Sequence, residues 1–273
     1  TFGLAPFFTI SLLLAGFSSF EVLAYRWGIA SLTLVVFGIM LGETFRISRK
    51  DWGTVFILSL LRAATSFSLV IAYQNISSGV ASTIHFMYPV LTTLIMMIFF
   101  HEKKSLWRMA AIALAVAGVF FLSNGDGTGS VTWSGIFIVL LSALGYALYL
   151  VTVSQLKNLE MKGLKMTFYV FLFGGILLFT GTEISGIGLQ AIPDRTTLGN
   201  LVMLALVPTV ISNLALVRAI KNIGSTLTSV LGAMEPVTAV CVGIAIFGEP
   251  FTRSIALGIL LIISAVTVII LKR

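Results

Sequence analysis

Apolar residues run along this chain in long stretches, each closed by a short segment of glycine, asparagine, serine or basic residues. Ten stretches are long enough to cross hydrocarbon: 2–18, 21–41, 53–74, 78–100, 107–123, 132–154, 165–182, 198–217, 225–247 and 253–271. They predict an all-α polytopic membrane protein of ten transmembrane helices. The segments between them, such as Gln74 to Gly79 and Asn124 to Gly129, are rich in turn formers. The runs far exceed a barrel strand and do not alternate, which excludes a β-barrel.

Composition agrees with this pattern. Of 273 residues 58% are apolar and only 10% charged, against roughly 25% charged in soluble domains. The net charge of +7 forms no patch suited to nucleic acid. Thirteen of the seventeen basic residues fall on one side of the predicted spans: Arg46, Arg49, Lys50, Lys103, Lys104, Arg108, Lys157, Lys162, Lys165, Arg218, Lys221, Lys272 and Arg273. Arg195 and Arg253 fall on the other, and Arg26 and Arg62 lie within spans. The positive-inside rule then places both termini in the cytoplasm. Because the chain opens at Thr1 rather than Met and enters apolar sequence at once, the first helix is expected to be clipped. No cleavable signal is recognisable. Cys241 is the single cysteine, so no intramolecular disulfide forms.

Sliding the chain against itself by 147 residues aligns Asn75-Ile76 with Asn222-Ile223, Ser78 with Ser225 and Ser82 with Ser229. The same register brings together Met87 and Met234, Pro89-Val90 and Pro236-Val237, Phe100 and Phe247, and Glu102 and Glu249. Apolar composition explains chance matches among Ile, Val and Phe, but not Asn, Pro and Glu in register. The offset spans five helices, an odd number, so duplicated halves enter the bilayer from opposite sides. The expected halves are residues 1–125 and 130–273. Inverted repeats of this kind characterise carriers that alternate access around a midplane site.

The order and spacing of these motifs resemble the drug/metabolite transporter superfamily, in particular its EamA-type ten-helix members. The resemblance is carried by Tyr25-Arg26-Trp27, by Ser78 to Pro89 followed by Glu102, by Gly224 to Glu235-Pro236-Val237, and by Gly248-Glu249-Pro250. It covers essentially the whole chain. One departure is Tyr88-Pro89 in the first half against Glu235-Pro236 in the second. The resemblance implies export or exchange of amino acids, other metabolites or drugs across the bacterial inner membrane, and it names no substrate.

Within the spans, ionisable residues are costly and point to function. Arg62 sits too deep in the third span to snorkel; it is either an anchor for a substrate carboxylate or a structural ion pair. Glu235, at similar depth in the ninth span, is its expected partner, a proton carrier, or a group that bonds a neighbouring backbone. His85, Tyr88 and Thr92 share one face of the fourth span, as do Thr228, Gly232 and Glu235 on the ninth. Gly232, at the repeat position of His85, is expected to leave room for a ligand. Ser66, Tyr73, Tyr146, Tyr149, Ser212 and Asn213 are either cavity lining or polar stitching between helices. Arg26 reads as a structural or entry-path charge near the outer interface. Glu102 and Glu249 read as interfacial caps or gates, and Pro89 and Pro236 as paired kinks or hinges. The candidate substrate-binding set is Arg62, His85, Tyr88, Glu235, Ser66, Tyr146 and Asn213.

No HExxH, GxSxG, Walker loop or acidic metal cluster occurs in the sequence, and no enzyme or cofactor is expected. The expected partners are a small-molecule substrate and the lipid bilayer, with protons a candidate coupling ion and no nucleic acid; oligomeric state stays open. The preferred reading is an alternating-access exporter of small metabolites such as amino acids. The alternatives are a multidrug or cationic-compound exporter and, behind it, a non-transporting membrane receptor.

Overall fold

The computed structural model describes residues 2–75, 81, 84–102, 105–123, 133–156, 163–186, 188–232, 234–235, 237–238 and 252–271. All regular structure among them is helical. A 3₁₀ turn, Phe2–Leu4, leads into α1 (Ala5–Leu14), followed by α2 (Ser19–Met40) and α3 (Arg49–Asn75). Next come α4 (Tyr88–Phe99), α5 (Leu106–Ser123), α6 (Trp133–Gln155) and α7 (Gly163–Ile184). The helix α8 runs Arg195–Ile223 with a π-helical stretch at Leu206–Ile211, and α9 (Ser225–Leu231) and α10 (Arg253–Leu271) follow among the described residues.

Among the described residues five helices are long and apolar enough to cross a membrane: Ser19–Met40, Asp51–Gln74, Trp133–Gln155, Gly163–Ile184 and Arg195–Ile223. Shorter apolar helices at Phe2–Leu14, Tyr88–Phe99, Leu106–Phe121 and Arg253–Val268 accompany them. Helices suit this solvent because every backbone group is satisfied within its own segment. The molecule is a polytopic membrane protein: Leu32, Phe37, Phe56, Phe137, Ile176 and Leu260 project outward, whereas Arg26, Arg62, Ser142, Thr209 and Asn213 are buried.

Helix ends follow local chemistry. Ser18 and Glu21 form a reciprocal capping box at α2: Glu21 N–H donates to Ser18 Oγ at 3.2 Å, and Ser18 N–H donates to Glu21 Oε2 at 2.8 Å. Asp194 caps α8 by accepting from Thr197 N–H at 2.7 Å. That backbone bond, with a second from the Thr197 hydroxyl, holds the Asp194 carboxyl below its ordinary value. The cap therefore stabilises the fold above the usual carboxylate range and is lost as pH falls through the depressed value.

Where the described residues allow comparison, sequence-predicted boundaries hold to within a few residues, with two differences; the ninth span, 225–247, is helical over Ser225–Leu231 and its far end, 239–247, lies outside the described residues. The predicted span 198–217 is only the middle of α8, which begins at Arg195 behind its cap Asp194 and ends at Ile223. The fourth span is not one continuous helix: residues 84–85 are helical, Phe86 and Met87 form a turn, and α4 begins at Tyr88. Pro89 is the cause, since it lacks an N–H and its ring crowds the carbonyl four residues back, at His85.

The packing follows a regular scheme: α2 lies on α7, α4 on α9 and α5 on α10, while α3 lies on α6 and α7, and α8 on α1 and α2. Two tyrosines fasten this arrangement at the ends of α2 and α7. Tyr25 of α2 donates its hydroxyl to the Gln190 carbonyl at 2.6 Å, in the segment after α7, where Gln190 N–H also donates to Glu21 Oε1 at 2.8 Å. Tyr169 of α7 donates its hydroxyl to the Phe45 carbonyl, in the segment after α2. Between these clasps Trp27 of α2 meets Phe171 of α7, ring centroids 5.2 Å apart.

Close approach here depends on Gly174, where an added Cβ would lie 1.9 Å from Trp27 Cζ3. The indole is fully buried and has nowhere to swing. Gly174→Ala is therefore expected to destabilise the protein by about 1–3 kcal/mol through overpacking. Thermal unfolding in detergent should show a lowered midpoint, partly restored by adding Trp27→Leu.

Candidate functional site

Arg62 is the middle residue of the 27-residue α3, as far from either end as the helix allows. Its Nη2 donates to Asn213 Oδ1 at 3.3 Å, its guanidinium stands 5.0 Å from the Tyr146 ring centroid and 5.8 Å from that of Tyr149, and its buried Nε has no hydrogen-bond partner. Cation–π contacts and one hydrogen bond therefore hold a buried charge that has N–H groups to spare.

The partner Asn213 owes its position to an irregularity in α8. Pro208 has no N–H to offer the Leu204 carbonyl, which would be left unbonded inside the membrane. The helix widens there into its π stretch, and Thr209 donates its hydroxyl to Leu204 O at 2.7 Å instead. Thr209 Oγ1 in turn accepts from Arg26 Nε at 2.5 Å, and its carbonyl accepts from Asn213 Nδ2 at 2.7 Å. A single interrupted turn thus carries both buried arginines, Arg26 from α2 and Arg62 from α3.

Both arginines line one cavity of about 110 Å³. Thr65, Ser66 and Tyr73 of α3 face it, as do His85, Phe86, Tyr88, Tyr146 of α6 and Glu235, with Phe2 to Thr9 at one side. Tyr88 and Tyr146 meet edge to face at 4.7 Å, and His85 stacks on Tyr146 at 5.6 Å. Ser142 Oγ donates to Thr65 O at 2.8 Å, which uses its only proton, and lies 3.2 Å from His85 Nδ1. His85 must then donate from Nδ1, and a neutral ring keeps Nε2 as an acceptor.

Six of the seven candidate residues, Arg62, Ser66, His85, Tyr88, Tyr146 and Glu235, line this cavity, and Asn213 stands behind Arg62. Two expectations are corrected. Arg62 and Glu235 share the cavity but form no ion pair, because Asn213 and the tyrosine faces hold the guanidinium. Gly232 does not leave room for a ligand: the Tyr88 hydroxyl fills it, 1.9 Å from where a Cβ would stand. Pro89 stands in the first turn of α4, while Pro236 lies outside the described residues. Arg26 lines the cavity outside the candidate set, and Thr209, which holds Arg26 from behind, was not foreseen either. The dipeptide Pro208-Thr209 in mid-span, four residues before Asn213, was the signal available for them.

Away from the cavity, Glu102 pairs with Arg108 and accepts from Thr226 Oγ1 at 2.7 Å, joining the segment after α4 to the start of α9. Glu249 lies outside the described residues.

The Thr209→Val variant removes the oxygen that accepts from Arg26 and the hydroxyl that satisfies Leu204. It is expected to lower stability by about 2 kcal/mol, as for a lost hydrogen bond to a charged group. Thr209→Ser, which keeps the hydroxyl, should melt close to the parent in the same thermal scan.

Comparison with known proteins places this architecture. The profile of the EamA-like transporter family matches residues 2–124 and 133–271. The chain is 25% identical over 249 residues to the uncharacterized inner membrane transporter YedA of Escherichia coli K12, covering 91% of this chain and 80% of that protein. It is 26% identical over 248 residues to the uncharacterized transporter YdfC of Bacillus subtilis 168, covering 90% and 79% respectively. A solved crystal structure superposes with a TM-score of 0.82 at 17% identity, covering all of this chain and 97% of the other. That likeness concerns the fold alone.

Proposed function

The chain belongs to the EamA-like transporter family, and on that premise we propose that it is an alternating-access exporter of small carboxylate-bearing metabolites such as amino acids. The observation that carries this reading is Arg62: a buried cation at the centre of α3, held by one side-chain hydrogen bond, with its Nε unpartnered at a cavity wall. An arginine at the membrane midplane costs at least a few kcal/mol, and a planar carboxylate is the anion its fork of donors fits best. The cavity, about 110 Å³, is below the roughly 300–1,000 Å³ of drug-sized sites, which favours a small metabolite.

Support for inverted five-helix halves at 1–125 and 130–273 comes from three directions. The family profile matches in two separate stretches. Counterpart helices five apart, α2 with α7, α4 with α9 and α5 with α10, pack on each other. The tyrosine clasps of α2 and α7 repeat the same contact, hydroxyl to loop carbonyl, on the counterpart loops. Ten crossings with both termini in the cytoplasm follow from the distribution of basic residues, and the naming of the Escherichia coli relative favours the inner membrane. In a Cys241→Ser background, Ser48→Cys should react with an impermeant thiol reagent only from the cytoplasmic side and Thr196→Cys only from the opposite side. Labelling of both from one side would dismiss the topology.

A cationic substrate is the second reading, favoured by Glu235 and the aromatic faces of Tyr88 and Tyr146. Two arginines in the same cavity oppose it. Purified protein in liposomes separates the two: Arg62→Ala should lower amino-acid flux at least tenfold, with Arg62→Lys intermediate. Undiminished amino-acid flux in Arg62→Ala, or export of cationic dyes in its place, would falsify the carboxylate anchor.

A further inference from the structure

We infer that the substrate is an acidic amino acid, its two carboxylates held by Arg26 and Arg62 and its ammonium by Glu235. This rests on the carboxylate reading above and narrows it. Arg26 is 7% exposed and lines the cavity. Its Nε is tethered to Thr209, and the described residues offer its remaining N–H groups no hydrogen bond. Arg62 is tethered as lightly, through Nη2 to Asn213, with Nε unpartnered. Both guanidiniums are thus steered by the π turn of α8 from one side and keep donors for something else.

Among the described residues Glu235 is the only acid lining the same space, and it forms no ion pair with either arginine. Opposite charges in a buried cavity attract strongly and normally meet; here Asn213, Thr209 and the tyrosines hold them apart. A cavity that keeps acid and base separate is shaped for a dipolar ligand with a group for each. Counting charge narrows the class further. Two guanidiniums against one carboxylate leave one positive charge uncompensated in a low-dielectric site, a costly condition. A neutral amino acid leaves one arginine unmatched, and a simple dicarboxylate leaves Glu235 unmatched. A ligand with two carboxylates and one ammonium, net −1, answers all three groups at once, and the small cavity suits a short one.

The test is counterflow in liposomes containing the full chain, with L-glutamate, L-alanine and succinate each labelled in turn, and L-aspartate added as a competitor. Glutamate and aspartate should half-saturate at concentrations at least tenfold below those of alanine and succinate. Arg26→Gln should shrink the preference for glutamate over alanine at least tenfold, and Arg26→Lys should keep part of it. Should Arg26→Gln fail to elute as a folded species, the competition series on the parent protein decides alone. Alanine accumulating as well as glutamate overturns this inference and leaves the carboxylate anchor standing. Succinate accumulating as well as glutamate overturns the role given to Glu235. If none of the carboxylates moves, both the narrower assignment and the anchor reading fall together.

Discussion

Two guanidinium groups buried in a lipid-solvated bundle are the constraint around which this structure is arranged. Each is only 7% exposed, and among the described residues neither has an acid within bonding distance. Both are accommodated by one departure from regular helix, at Leu206–Ile211 of α8. Proline removes a backbone donor, threonine replaces it with a hydroxyl, and the oxygen so placed becomes an acceptor for a neighbouring helix. Asn213, one turn on, completes the arrangement by bonding the Thr209 carbonyl and Arg62 together. The polar contacts tie α2, α3 and α8 into a unit where apolar packing against lipid would provide little specificity.

That unit also explains why the acid remains apart. Were α8 regular, nothing would hold the Arg62 fork toward Asn213, and attraction would draw it to Glu235 across the same cavity. The tyrosines contribute in the same sense, since Tyr146 gives the cation a ring face and Tyr88 occupies the hollow above Gly232. Rigid aromatic walls and tethered charges together organise the proposed substrate site.

Much of this was legible in the sequence because hydrophobic runs report depth. The central place of Arg62 in its span and the polar pair at Ser212-Asn213 follow from counting along helices, whereas His85 and Tyr88 reach one cavity across a turn at Phe86-Met87 that counting did not foresee. What counting does not report is which way a long side chain turns. Arg26 stands seven positions into α2, near enough to the predicted interface to pass for an entry-path charge, yet its side chain bonds inward to α8. Gly232 read as empty space because a missing side chain is visible in sequence while the neighbour that fills it is not. The π turn was hidden for a related reason: Pro208 marks a lost bond, but whether the helix kinks or widens depends on what stands ready to satisfy the freed carbonyl.

The clasps formed by Tyr25 and Tyr169 have an evolutionary corollary. In each, the side chain supplies only the donor, and the acceptor is a main-chain oxygen, at Gln190 or Phe45, which every residue type possesses. Mutational drift in the connecting loops can therefore proceed freely, provided the path of the chain is kept, while the phenol on the helix is pinned. Fasteners that ignore loop identity let the scaffold outlast changes in the loops it joins.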